Sequence, residues 1–464
     1  MTDLDPFERR FADALLGYAD EVDAGVDAAA LAGRVLGGRR GRRARAFAWP
    51  APAISRLAWV LIAAALLTAL LVGSLVVGAR RPDRAVVVAP TPMPFPTVIA
   101  AESDILATTK AKPLPAQATC PAGSNPDALG PAGQQRPLVV IEGASMAFDS
   151  HAGRIVLFAE TNADAWRTWT LDVCANTWQR MRPSDPPPAP TEEAPVQLVY
   201  DADSDRTLAF ADTGRIWGYD LADDRWSKIG WFPDARGIWR SPPGGFQWRG
   251  GIAAVYHDPS GLVIVYDGVT MWAYDVEANA LAKVRQRPDP SRPAGSGSPD
   301  GTVEFSKISL AYDSRNDLLV AHVVPKENAQ PETWTFDPGT GTWRLELAGA
   351  TPEMALVGGY VWPEVGTRGV FDKASGLTLF NERRDNQLHE YDAAQRTWRT
   401  LPTFRDRGTD SWCSSVPPVF DSLNGRIVCY VRGYFEPSAV SAFTATTGEW
   451  RWLLEPPQPA SPSP

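Results

Sequence analysis

Histidine and cysteine are both scarce, four of each in 464 residues. His151, His257, His322 and His389 are scattered so widely that no pair has the spacing of metal ligands on one helix or hairpin. A G-x-S-x-G elbow, a Walker loop and a C-x-x-C pair are all missing, which removes the common signatures of hydrolase, nucleotide and dithiol chemistry. Basic charge is also short. Lys and Arg number 45 against 54 Asp and Glu, a net charge of −9, and an acidic chain argues against a nucleic-acid partner. Long apolar runs are missing too, with one exception.

That exception is "LAWVLIAAALLTALLVGSLVVGA", residues 57–79, which carries no charge and as a helix would extend about 34 Å, enough to cross a bilayer. We read it as an uncleaved transmembrane helix. A cleaved signal peptide is the rival, but the run and the 56 residues before it are too long for one. Arg39, Arg40, Arg42, Arg43, Arg45 and Arg56 precede the span closely, whereas Arg80, Arg81 and Arg84 follow it. The bias puts the N-terminus in the cytoplasm and the rest outside. Residues 1–56 are net +1, nine Arg against eight Asp and Glu, so the remainder is more acidic than the whole.

The four cysteines, Cys120, Cys174, Cys413 and Cys429, all fall on the expected oxidising side. Three pairings are open, and Cys120 with Cys174 and Cys413 with Cys429 is the favoured set.

Before the span, Phe7, Phe11, Ala14, Leu15 and Tyr18 form one helical stripe, and Asp27 caps a second short helix. Residues 1–45 are thus either a solvated tether beside lipid or a docking module for a cytoplasmic partner. After the span, Pro90, Pro92, Pro94 and Pro96 alternate, which favours polyproline II and a stalk over 80–119. The Pro-rich tail 456–464 is expected to be disordered.

Between stalk and tail the chain is rich in what it lacks elsewhere, internal repetition. One signature reads "MAFDSHAGRIVLF" (146), "LVYDADSDRTLAF" (198), "AVYHDPSGLVIVY" (254), "LAYDSRNDLLVAH" (310), "GVFDKASGLTLFN" (369) and "PVFDSLNGRIVCY" (418). A second alternates with it: "TWTLDVCANTW" (168), "IWGYDLADDRW" (216), "MWAYDVEANAL" (271), "TWTFDPGTGTW" (333), "LHEYDAAQRTW" (388) and "VSAFTATTGEW" (440). Each is strand, turn, strand, so each unit holds four strands, and the period is about that of a propeller blade. Six units predict an all-β, six-bladed propeller over 120–455.

These motifs resemble the kelch family and the galactose-oxidase-like propellers, whose blades carry a "W-x-Y-D-x5-W" hairpin. The resemblance covers about 136–455 and departs from the family at its glycine doublet, where this chain has "FAE", "FAD", "YDG", "HVV", "FNE" and "YVR". It implies a divergent kelch-like propeller. It does not carry over copper chemistry, because no matching Tyr/His/Cys set is present, and no cofactor is expected.

A residue type that recurs at one position in five or six blades signals architecture. Trp169, Trp217, Trp272 and Trp334, with Trp178, Trp226, Trp343, Trp398 and Trp450, are expected to pack between blades. The repeated Asp is expected to accept turn N–H groups. "DADSD" (201–205) imitates the start of a calcium loop but lacks its Gly and distal Glu. His151 and His257 fall in turns, His322 and His389 in strands.

In a four-stranded blade both hairpin turns share one face, so the repeated Asp turns lie together. The long irregular segments 229–250, 285–305, 347–368 and 402–415 fall on the other, where recognition usually resides. Trp231, Trp239, Arg240, Trp248, Arg249, Trp362 and Trp412 are the candidate ligand-binding residues, an aromatic and arginine set suited to a sugar face or a protein hot spot. The same aromatics would also serve as plugs under long loops. The function expected is that of an extracytoplasmic binding module for a glycan, peptide or protein. The alternatives are a transmembrane sensor with an anti-sigma-like cytoplasmic segment and a propeller hydrolase or lyase. If residues 1–56 dock a partner, they will capture one cytoplasmic protein in a pull-down; capture of none counts against the sensor.

Overall fold

The computed structural model describes residues 97–99, 101–137, 144–161, 165–187, 196–210, 215–231, 252–288, 305–325, 331–348, 369–382, 387–401, 416–431 and 439–455. The chain divides into two units, Met1–Ala89 and Pro90–Pro464, and only the second contains described residues. The expected N-terminal helices, the span 57–79 and the tail 456–464 lie outside them. Among the described residues no helix is long and apolar enough to cross a membrane.

Two short elements come first, β1 (Thr97–Ile99) and α1 (Ile105–Thr108). Blade 1 is β2 (Ser145–Asp149), β3 (Arg154–Thr161), β4 (Ala165–Asp172) and β5 (Thr177–Arg180). Blade 2 is β6 (Gln197–Asp201), β7 (Arg206–Phe210), β8 (Arg215–Asp220) and β9 (Arg225–Trp231). Blade 3 is β10 (Ala253–His257), β11 (Leu262–Tyr266), β12 (Thr270–Asp275) and β13 (Ala280–Gln286). Blade 4 is β14 (Phe305–Asp313), β15 (Leu318–Pro325), β16 (Glu332–Asp337) and β17 (Thr342–Ala348). Blade 5 is β18 (Gly369–Asp372), β19 (Leu377–Glu382), β20 (Gln387–Asp392) and β21 (Thr397–Thr400). Blade 6 is β22 (Val419–Asp421), β23 (Arg426–Val431), β24 (Ala439–Thr444) and β25 (Glu449–Leu454).

Each blade is an antiparallel meander in which order in space follows order in sequence. The first strands of the six blades contact one another around a ring that includes β22 against β2. The fold is a six-bladed β-propeller. Second strands such as "LVIVY" and "RIVCYV" are buried throughout, because a neighbouring blade covers each face and leaves no side for polar residues. Outer strands such as "TWRT" are largely exposed.

All twelve hairpin turns end on a residue of positive φ: Gly153, Asp205, Gly261, Asp317, Gly376 and Gly425 in the first hairpins, Asn176, Asp224, Asn279, Gly341, Arg396 and Gly448 in the second. Only Gly, Asn and Asp take this conformation cheaply, and Arg396 is the one exception. The choice among them follows the residue five positions earlier. Where that residue is Phe (148, 336, 371, 420, 443), the turn ends in Gly. Where it is Tyr, an acceptor usually stands there: the Tyr200, Tyr219 and Tyr312 hydroxyls donate to Asp205, Asp224 and Asp317 at 2.6, 2.8 and 2.9 Å, and the Tyr274 hydroxyl bonds Asn279 Oδ1 at 3.0 Å. A buried phenol needs a partner, and Asp or Asn supplies it while tolerating the backbone. The repeated Asp caps the same turns, as Asp172 Oδ1 does for the N–H groups of Cys174 and Ala175.

The repeated tryptophans join the blades. Trp226 is fully buried. It packs on Tyr219 across its own hairpin at 4.9 Å and on Phe158 of blade 1 at 5.5 Å, and donates Nε1–H to Thr168 Oγ1 at 2.9 Å. Trp343 meets Tyr266 of blade 3 and Trp398 meets His322 of blade 4 in the same way. His322 is therefore an inter-blade core residue.

Part of the expected stalk proves to be bound to the propeller. β1 adds to the outer edge of blade 3, parallel to β13, and Leu106 of α1 is buried in the cluster between blades 3 and 4. The chain then crosses the turn face as a strap. Ala111 N–H donates to Pro259 O, Lys112 N–H to Asp203 Oδ2 and Ala118 N–H to Ser150 O, and Gln117 bonds Ser422. It thereby touches blades 3, 2, 6 and 1. The favoured Cys120–Cys174 disulfide pins it to blade 1. Cys429 is also disulfide-bonded, while Cys413 lies outside the described residues.

Beyond the disulfide the strap fills the seam between the last blade and the first. Asn176 Nδ2–H donates to Pro126 O and Ala128 O at 2.7 and 2.8 Å, and Gly130 N–H donates to Leu453 O at 2.8 Å. A Cβ on Gly130 would stand 2.2 Å from Asn176 O, so only glycine fits. Arg426, 2 % exposed, donates to Asp421 Oδ2 at 2.9 Å, Val173 O at 2.9 Å and Pro126 O at 2.6 Å, tying blade 6, blade 1 and strap at one guanidinium. Among the described residues no strand is shared by blades 1 and 6.

The Cys120–Cys174 link closes a loop of sequence separation 54, for which chain entropy gives about 4 kcal/mol. The double variant Cys120→Ser, Cys174→Ser is expected to lose about 2–4 kcal/mol in urea unfolding; an unchanged midpoint would show that the strap does not stabilise the ring.

Candidate functional site

The six inner strands each hydrogen-bond to a neighbour on one side only. Their other edge faces the ring axis, and on β6 the Leu198 N–H donates to Ser145 Oγ at 2.9 Å while Leu198 O accepts from Gln197 Nε2 at 2.8 Å. One aromatic stands at the same position of each, Phe148, Tyr200, Tyr256, Tyr312, Phe371 and Phe420, and all six line a central cavity of about 620 Å³. The three tyrosines are contributed by consecutive blades 2 to 4 and the three phenylalanines by blades 5, 6 and 1, with apolar side chains such as Val199, Val255, Val370 and Val419 between them on both sides. Leu114, Pro115 and Gln117 of the strap line it on the turn side.

The charges around this cavity are engaged. Lys373 of blade 5 reaches Asp258 of blade 3 at 2.7 Å. Tyr256 hydroxyl donates to Asp203 of blade 2 at 2.7 Å, His151 Nδ1 lies 2.7 Å from Asp205, and His257 Nε2 lies 3.2 Å from Asp317. Burial first, and the facing carboxylate second, push the Tyr200, Tyr256 and Tyr312 hydroxyls well above the ordinary phenol range, so they remain protonated donors. Burial pushes the Asp201 carboxyl up to about 6 against the Ser204 hydroxyl bond that lowers it. His257, at the end of β10 rather than in the turn proper, takes the place of the repeated Asp, and burial holds its imidazole below the usual range.

The calcium-like run is divided among separate partners: Asp201 takes Ser204, Asp203 takes Lys112 N–H and Tyr256, and Asp205 takes His151 and Tyr200. Among the described residues no group of three or more His, Cys, Asp or Glu could hold a metal ion.

Of the expected ligand-binding residues, Trp231 ends β9 opposite Arg215, at the end of blade 2 away from the turns. Trp239, Arg240, Trp248, Arg249, Trp362 and Trp412 lie outside the described residues. The central cavity and the strap were not singled out by the sequence reading, which set the turn face aside. Their signal was present all the same in the aromatic before each Asp or His of the first signature.

No protein-family model and no curated protein matches the chain. Solved structures do. A GH74 xyloglucanase from Xanthomonas campestris is similar at 18 % identity over 66 % of this chain and 46 % of that one, with a TM-score of 0.40. The SapL1 lectin in complex with alpha methyl fucoside shares 11 % over 70 % of this chain and 98 % of its own, TM-score 0.40. An auxiliary nutrient binding protein from Bacteroides thetaiotaomicron shares 12 % over 66 % and 72 %, TM-score 0.38. The chain spans less than half of the xyloglucanase. At these identities the likeness is one of fold alone.

Asp201 gives a pH prediction. Its folded carboxyl keeps its proton to about pH 6, whereas the unfolded one loses it near pH 4. Across that window the folded state holds more protons, so the group costs stability as pH rises. Asp201→Asn is expected to gain on the parent chain by about 1–3 kcal/mol between pH 4 and pH 7, read from urea midpoints at both pH values; a constant difference would refute the shift.

Proposed function

We propose that the chain is a single-pass membrane protein, N-terminus cytoplasmic, whose extracytoplasmic kelch-like propeller binds a glycan, peptide or protein through the face opposite the turns. The observation that carries this reading is the occupation of the turn face. The strap bonds to the turns of blades 1, 2, 3 and 6 there, and turn side chains bond to one another between blades. The long inter-blade connections start and finish on the other face, where Trp231 ends its strand. Variable connections on a rigid ring are suited to recognition, and the aromatic and arginine content of 232–250 suits a polar ring or a peptide.

A sensor role is the second reading, favoured by how the chain enters the propeller. β1 lies within the expected stalk and is bonded to blade 3, so a displacement of that blade would pull on the segment leading to the span. The cytoplasmic residues 1–45 would then relay it.

The test is a glycan array and a hydrolysis screen with the full chain in detergent. Stable binding without turnover is expected, with the Trp239→Ala, Trp248→Ala double variant at least tenfold weaker at unchanged melting temperature. Turnover without stable binding would favour a hydrolase or lyase instead.

A further inference from the structure

We infer that the outer rim of blades 4 and 5 carries a binding site for a tetrahedral oxyanion, the group of a phosphate or sulfate ester, held by Arg344 and Arg396. The site is separate from the loop face and from the central cavity. It stands on three departures from the repeat that meet at one place.

The first is Glu346. Three residues after the Trp of the second signature the other blades have Met181, Ile229, Leu401 and Leu453, and Val284 follows Leu281 where that Trp is replaced. Blade 4 alone has a charged residue there, and the Glu346 side chain is wholly buried. The second is Arg396, the αL residue of blade 5, in a position that the other second hairpins give to Asn, Asp or Gly. The third is Tyr391. At the equivalent position Tyr219 and Tyr274 bond the αL side chain five residues on. Arg396 cannot accept, and the buried Tyr391 hydroxyl has no partner among the described residues.

Each departure costs stability. A non-glycine αL residue is strained, an orphaned phenol forfeits a hydrogen bond, and a buried carboxylate with its cations does no better than the aliphatic side chain it replaces. Costs that converge on one spot mark a functional demand more than a packing one.

Their product is a pair of guanidiniums tied to one anchor. Arg344 Nε–H donates to Glu346 Oε1 and Arg396 Nε–H to Glu346 Oε2, and the Thr335 hydroxyl donates to Oε1 at 2.6 Å. Structural cations elsewhere behave differently: Arg426 and Arg287 are themselves buried, and each spends nitrogens on carbonyls as well as on a carboxylate. Arg344 and Arg396 are 54 % and 48 % exposed and are bonded through Nε alone, which leaves the Nη groups of both to solvent. Two guanidiniums on one carboxylate also leave a positive charge over. Arg399 and buried Glu390, on the same blade, form a neutral pair instead. Asp392 beside the turn is occupied by the N–H groups of Ala394 and Gln395.

This arrangement selects the ligand's chemistry. A carboxylate has two oxygens and fills one guanidinium fork, whereas a phosphate or sulfate ester has a third terminal oxygen and engages both forks at once. A neutral ring of hydroxyls would leave the charge unmet.

The experiment is isothermal titration of the full chain in detergent with inorganic phosphate, sulfate and acetate, at constant ionic strength because salt screens exposed charge. One-to-one binding of phosphate or sulfate is expected, with acetate weaker by about tenfold or more. Arg396→Gly installs the αL residue that Gly341 and Gly448 supply in blades 4 and 6, so the turn keeps its conformation. It and Arg344→Gln should each weaken binding by about tenfold or more, while Arg399→Gln leaves it unchanged. Tighter binding of phosphate than of sulfate assigns the natural group to a phosphate ester, and the reverse to a sulfate ester. Acetate bound as tightly, binding that survives both variants, or an equal loss in Arg399→Gln overturns the site. Binding of neither anion, with a lower melting temperature in Arg396→Gly, overturns it and makes the cluster a latch between blades.

Discussion

A ring of six sheets has no terminal blade that solvent can cover: every blade face is apolar, so the first and last must meet or both expose a core surface. The inner strands close that circuit at β2 and β22, but no described strand is exchanged between the two blades to hold it. The seam depends on a buried cation and on a segment from before the first blade. Arg426 spends its donors on Asp421 of its own hairpin, on Val173 O of blade 1 and on Pro126 O of the strap. Removing one partner from such a buried set costs far more than the set adds over an apolar substitute. The arrangement therefore enforces one registration of blade 6 on blade 1 more than it adds bulk stability.

The same economy of partners governs the turn face. Twelve turns of one geometry bring twelve αL residues and a row of carboxylates together, which in isolation resembles an acidic ion site. The carboxylates are taken up by turn amides, tyrosine hydroxyls and histidines, and Asp258 of blade 3 by Lys373 of blade 5. Among the described residues that line the cavity, the two charged side chains, Asp258 and Lys373, pair with each other.

Much of this was legible in sequence because propeller architecture repeats. Trp226, set beside Trp343 and Trp398, is visible as a blade residue, and Asp220 as a turn cap, from period alone. The link between Tyr219 and Asp224, or Phe148 and Gly153, is equally present in the letters, but its meaning depends on knowing that position five adopts positive φ. The strap was hidden for a different reason. Alternating prolines at 90–96 mark an extended chain, which suits a spacer, but β1 shows that an extended segment can equally be an added strand. Residues 110–137 hold no apolar periodicity, since they bond mainly through backbone and scattered side chains, and nothing local reports where such a segment lies. The candidate loop residues were chosen because repetition failed to explain them, a criterion that finds what is unusual without placing it.

The strap also changes how ring closure is reached. Contacts such as Arg426 to Pro126 and Gln117 to Ser422 join residues some three hundred positions apart, and ordering them requires a large loop to close. The Cys120–Cys174 bond shortens that problem. With the strap held on blade 1 over a separation of 54, the carbonyl of Pro126 and the turn at Val173 to Asn176 already form one surface. In the native state blade 6 meets both chain segments at that one surface, through Arg426 on Pro126 O and Val173 O. A disulfide at this position acts on the far end of the chain, because it completes the half of the seam that blade 6 has to find.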